Sequence, residues 1–150
     1  MRRLSMFSKI LKVSLIAALC AGPAWADDDA APLAGLLSGH NKEDLPEVTL
    51  SVGEPLGGPW TLQSGRYYEV EITADGSGEI GLESDGFFRA IWVDEVVIRG
   101  LEVRPMGLAS IEFDRAGTME IGFIAIKPGR YDLHIPGSTG EDQRLEIEIE

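Results

Sequence analysis

The chain has 150 residues, 44% of them hydrophobic, with one cysteine and a formal net charge of −12 at pH 7. That length supports one domain beside any targeting segment. The charge excludes nucleic acid and anionic lipid as surfaces to bind, because both would be repelled, whereas a basic protein partner or loosely held cations would suit it.

Arg2, Arg3, Lys9 and Lys12 accompany an apolar run over residues 13–21, and Ala24-Trp25-Ala26 forms an A-x-A cleavage site ahead of Asp27-Asp28-Asp29. These are the three parts of a secretory signal peptide. The run is shorter than the about 20 apolar residues that span a bilayer. The reading is a signal peptide over residues 1–26, cleaved after Ala26, with a periplasmic mature chain and no membrane attachment. Leu19, in place of a small residue before Cys20, argues against a lipid anchor. Cys20 leaves with the signal, so the mature chain has neither disulfide nor thiolate. The four Lys/Arg of the signal are its only charges, and their loss takes the net charge to about −16.

Residues 27–46 read as a flexible acidic leader of Ala, Gly and Leu, with a solvated His40. The domain proper is expected over residues 47–150. Residues 47–52 (EVTLSV) are a strand with Val48, Leu50 and Val52 on one face. Residues 53–59 (GEPLGGP) are loop. Residues 60–62 lead to a Ser64-Gly65 turn and a strand over 66–73 (RYYEVEIT), with Tyr68, Val70 and Ile72 inward. A turn at 75–78 (DGSG) and a short strand at 79–83 follow. Residues 87–98 (FFRAIWVDEVVI) hold more apolar side chains than one strand face can use, which predicts a corner near Asp94-Glu95 and a second strand after it. Strands are expected at 100–104, 109–113, 118–126, 129–135 and 144–150, the last with Leu145, Ile147 and Ile149 inward. No mature helix is expected. About eight or nine short strands joined by Gly/Pro turns predict an all-β, antiparallel sandwich or barrel.

Two stretches carry a family resemblance. Residues 59–72 (PWTLQSGRYYEVEI) and 111–135 (IEFDRAGTMEIGFIAIKPGRYDLHI) resemble the cupredoxin family. The first matches its strand, Gly-Lys/Arg turn and apolar strand. The second matches its phenylalanine and Pro-Gly-x-Tyr run into the last copper-site strand. With the strands between, the resemblance covers residues 48–150. It implies a Greek-key β-sandwich and a blue-copper site of two histidines, a cysteine and an axial methionine. The family's cysteine would fall near Ile135, where the chain reads LHIPG; its early histidine would fall near residues 87–91, where none occurs; and residues 138–143 hold neither histidine nor methionine. The fold carries over and the type 1 site does not, so no cofactor is expected. Tyr131 is expected to pack its ring and bond its hydroxyl at a sheet corner.

Other chemistry has candidates. Met106, Met119 and His134 supply soft thioether and imidazole that suit copper by an unconventional set; packing methionines and a surface histidine explain the same residues. Residues 73–84 (TADGSGEIGLES) mimic a calcium loop but lack its first aspartate and last glutamate. Glu112 and Asp114, with Glu102 nearby, would suit a hard cation or a solvated strand face. His134 with Asp132, and Ser110 or Ser138, is the one hydrolytic arrangement, though no nucleophile motif surrounds either serine. Phe87, Phe88, Arg89 and Trp92 suit a partner hot spot or a small pocket, or ordinary core. These residues give an expected function: an exported cupredoxin-like binding or accessory module, not an enzyme, serving a periplasmic redox system. Copper handling is the alternative, and an enzyme centred on His134 the third.

Overall fold

The computed structural model describes residues 35–150. The signal peptide, its cleavage site and the first part of the leader lie outside them. In chain order the strands are β1 (Lys42–Asp44), β2 (Val48–Leu50), β3 (Trp60–Leu62), β4 (Tyr67–Ala74), β5 (Ile80–Glu83), β6 (Ile91–Ile98), β7 (Leu101–Val103), β8 (Ser110–Phe113), β9 (Gly117–Ala125), β10 (Gly129–His134) and β11 (Arg144–Ile149). One helical turn, α1 (Phe87–Ala90), sits between β5 and β6, and 3-10 turns lie at Gly39–Asn41 and Glu141–Gln143.

The strands form two sheets. Sheet A runs β1-β4-β9-β6-β7, with β2 also pairing β4; sheet B runs β3-β11-β10-β5-β8. The core lies between them and follows the alternation of the sequence. Tyr68, Val70, Ile72 and Ala74 of β4, Met119, Ile121, Phe123 and Ala125 of β9, and Leu145, Ile147 and Ile149 of β11 are all buried. Their alternate neighbours Glu69, Glu71, Glu120, Glu146 and Glu148 point to solvent, as period-two alternation requires.

Four expectations are corrected. The sheets are mixed: β1 and β2 lie parallel to β4, and β3 lies parallel to β11. These strands arrive by connections that are not hairpins, so they run beside their neighbours in the same direction. Second, the sheet begins at Lys42, inside the stretch read as leader. Asn41 is buried, and its Nδ2 donates to the carbonyls of Leu36 and Gly65, both at 2.9 Å, which fixes the entry to β1. Third, Phe87-Phe88 opens no strand. Ser84 Oγ accepts from the Phe87 backbone N–H at 2.9 Å, and the helical turn that starts there sends two consecutive phenylalanines into the core. Fourth, β6 has no corner at Asp94-Glu95. Register slips there by one residue, with Val93 opposite Phe123 and Glu95 opposite Gly122, and this bulge keeps Val93 and Val96 both buried.

Candidate functional site

The Pro128-Gly129 turn begins β10. Tyr131 donates its hydroxyl to the Lys127 carbonyl at 3.0 Å and packs its ring against Phe87, with centroids 6.5 Å apart. This is the corner role expected of it. At the far end of β10, His134 is the single residue pairing that strand with β5, opposite Glu83. The ring lies on the outer face, since Leu133 beside it is buried. His134 Nδ1 is 2.8 Å from Asp132 Oδ2, and Nε2 is 3.2 Å from Glu83 Oε1. Arg144, opposite His134 on β11, donates to the same Asp132 oxygen at 2.5 Å. The imidazole is thus held between two carboxylates and ties β5 to β10. Its Nε2 faces Glu83; Ser110 stands opposite Glu83 on β8, one strand beyond the imidazole, and Ser138 Oγ donates to Gln143.

The candidate copper donors do not gather. Met119 is buried on the inner face of sheet A, and Met106 is fully exposed in the connection between β7 and β8. His134 points out from sheet B. Alternation put Met119 on the core side of its strand, and the core of the sandwich lies between that sulfur and the outward imidazole. The donors at the β10 end therefore do not match a type 1 copper set, which needs a thiolate with two imidazoles.

The cation candidates also rearrange. Glu112 and Asp114 are joined by Glu79, not by Glu102, and all three are exposed. A hydrogen bond with Glu79, and then its charge, push the Glu112 carboxyl above its ordinary range. Glu102 belongs to another group: Arg104 donates to Asp94 at 2.9 Å, Glu95 at 3.0 Å and Glu102 at 3.4 Å.

The expected partner surface divides. Phe87 and Phe88 are core residues, while Arg89 is exposed and Trp92 is 47% exposed. Trp92 lies on the outer face of sheet A, opposite Ile124, which is opposite Tyr67. The next rows across the same face are Glu69, Gly122 and Glu95, then Glu71, Glu120, Val97 and Glu102. Tyr67 lies flat over Gly122: a Cβ there would collide with its hydroxyl. Burial, then the charges of Glu95 and Asp94, raise the Tyr67 hydroxyl well above its ordinary range. Burial and the neighbouring Glu69 raise the Glu120 carboxyl, with Lys42 acting in the opposite sense. Lys42 bridges to Glu69. The result is an aromatic edge beside a crowded acidic field. Alternation had placed each glutamate outward, but which ones meet across strands depends on register, which the sequence does not show.

No family model matches the chain, and none of the curated proteins does. Solved structures do match. A multi-copper oxidase from Pseudomonas thermotolerans aligns over 73% of this chain and 30% of its own, at 16% identity and a TM-score of 0.53. The fold is cupredoxin-like. A blue copper oxidase from Nitrosomonas europaea aligns over 63% of this chain at 13% identity and a TM-score of 0.49. A copper nitrite reductase from the same organism gives the same coverage, identity and score. The cupredoxin-like chain spans 30–33% of the length of these three proteins. Identity this low speaks to the fold alone, and the domain is a divergent one. The expectation that the chain is not an enzyme is nevertheless corrected: its fold is shared with part of an oxidase, so the fold gives no ground for setting catalysis aside. Among the described residues, no helix is long and apolar enough to cross a membrane.

Proposed function

We propose that this is an exported, periplasmic cupredoxin-like accessory module of a copper-linked redox system, without a type 1 copper centre, that binds a basic protein partner. The fold and its copper-protein neighbours support the redox association by analogy. The loss of Cys20 with the signal and the scattering of Met106, Met119 and His134 support the absence of a type 1 centre.

The observation that carries the binding role is the outer face of sheet A. Trp92 projects there beside rows of glutamates, and burial, then the charge of Glu69, raise the Glu120 carboxyl, which disfavours its charged form. A cationic partner would relieve that cost, while the indole supplies the aromatic anchor common in partner hot spots. A basic c-type cytochrome is a suitable probe. Titrated at low salt into the chain from Asp27 onward, it is expected to bind and to shift the backbone amide resonances around Trp92 and Glu120. Affinity should fall steeply with salt, and Trp92→Ala should weaken it about tenfold or more. Absence of binding at low salt, or equal affinity for the Trp92→Ala protein, would contradict the proposal.

A further inference from the structure

The β6–β7 hairpin leaves one edge of sheet A open. β7 is the last strand of that sheet, and residues 101–104 are exposed throughout. The hairpin turns on two residues, Arg99 and Gly100, both at positive φ. A two-residue turn of this kind hydrogen-bonds the pair that flanks it, here Ile98 and Leu101. Backbone groups alternate in direction along a strand, so those of Leu101 and Val103 face β6, while those of Glu102 and Arg104 point away from the sheet. Free N–H and C=O groups make an edge a template for another strand, and proteins normally blunt it with lysine, proline or a bulge. Pro105 does not blunt this one, because its missing N–H falls on the side that faces β6.

The side chains sort by the same alternation. Leu101 and Val103 stand opposite Ile98 and Val96 on the core-facing side. Val96 is buried, but Ile98, Leu101 and Val103 are 44%, 64% and 44% exposed, so the hairpin overhangs the core with its apolar side uncovered. Glu102 and Arg104 lie on the outer face. Arg104 donates to Asp94 at 2.9 Å and to Glu95 at 3.0 Å. Its bond to Glu102 is the longest of the three, at 3.4 Å, and joins two exposed side chains.

We propose that β7 pairs with β7 of a second copy of this chain, antiparallel and centred on Val103. A two-fold interface must be complementary to itself. The run Leu101-Glu102-Val103-Arg104 meets that condition about Val103, because an acid and a base flank it on either side. This register sets Val103 against Val103 and, twice, Glu102 against Arg104, an opposite-charge pair. Glu102 and Arg104 are also the residues whose backbone groups face outward, so each such pair exchanges two backbone hydrogen bonds. Arg104 keeps Asp94 and Glu95 while it reaches Glu102 of the other copy. The exposed aliphatic side chains of both hairpins meet beneath the joined sheet. Centring on Glu102 instead would set carboxylate against carboxylate. The contact is short and each chain from Asp27 onward carries about −16, so the dimer is weak and moderate salt strengthens it.

Sedimentation of the chain from Asp27 onward, from about 1 µM to about 1 mM in about 0.3 M salt, is expected to show a monomer–dimer equilibrium. Amide exchange at Glu102 and Arg104 should slow as concentration rises, while Leu101 and Val103, already bonded to β6, change little. Glu102→Arg and Arg104→Glu should each weaken self-association about tenfold or more, because like charges then face each other. An equimolar mixture of these two variants should restore it, since every facing pair is again opposite in charge. Val103→Glu, at an exposed position on the axis, should also cost about tenfold or more. Should Arg104→Glu fail to fold, Val103→Glu and the amide readout decide alone. Trp92→Ala should dimerise as the parent does, which separates this edge from partner binding by the outer face. A monomer at every concentration, a dimer untouched by Val103→Glu, or a mixture of the two folded charge variants no tighter than its components would overturn the proposal. So would a dimer whose slowed amides lie on another edge.

Discussion

Glu120 and Gly122 show how single residues set the character of the outer face. The Glu120 carboxyl is raised in the folded state by burial and by Glu69. A carboxyl raised on folding adds stability that is complete below its unfolded value and is lost as pH rises through the folded one. At neutral pH ionised Glu120 is therefore a burden. Glu120→Gln is expected to raise stability by a few tenths of a kcal/mol near pH 7, after solvent screening, and to give no gain near pH 4. Urea unfolding at the two pH values checks this. Gly122 gives the opposite case: Gly122→Ala must displace the Tyr67 ring, at about 1–3 kcal/mol of stability. Arg99 holds φ at 51° in the β6–β7 turn, followed by Gly100 at 78°. Asparagine tolerates that conformation better, so Arg99→Asn is expected to add about 0.5–1 kcal/mol, read from the thermal midpoint.

At the scale of elements, the turns decide what alternation cannot. Strands β4 and β11 were legible because apolar and charged residues alternate along most of their length, whereas β9 is buried throughout residues 121–125 and was read from its apolar run. The stretch over residues 87–98 was misread because two devices break the period. Ser84, whose Oγ accepts from the Phe87 N–H three residues on, is a local signal for the turn into α1, although the N-cap position itself is Gly86. The bulge at Asp94 had no such signal, since it exists only in the register between β6 and β9. The same limit hid the clasp of His134 between Asp132 and Glu83, whose members come from separate strands. The corner at Tyr131 was readable from its Pro-Gly-x-Tyr context. Tyr131→Phe, which removes the hydroxyl shared between the Lys127 and Pro128 carbonyls, is expected to cost about 1 kcal/mol in denaturant unfolding, and an unchanged midpoint would refute that role.

At the scale of the molecule, the cupredoxin-like sandwich keeps its corner and its hairpins while its acidic charge is spread over both sheets. Sequence pattern reached the fold because burial leaves a periodic trace. It reached the candidate sites only in part, because Trp92 was separable from Phe87 and Phe88 only once the helical turn and the bulge were known. For the chain from Asp27 onward, self-repulsion at a net charge of about −16 predicts that moderate salt raises the melting temperature, while partner binding by the outer face weakens over the same range. The central claim is a cupredoxin-like module that acts without a type 1 copper centre. Copper titration of the chain from Asp27 onward, with His134→Ala in parallel and both followed by calorimetry and visible absorption, tests it most directly. Neither protein is expected to show a thiolate-to-copper band or stoichiometric tight binding, and the two should not differ. One equivalent of tightly bound copper, lost in the His134→Ala protein, would contradict it.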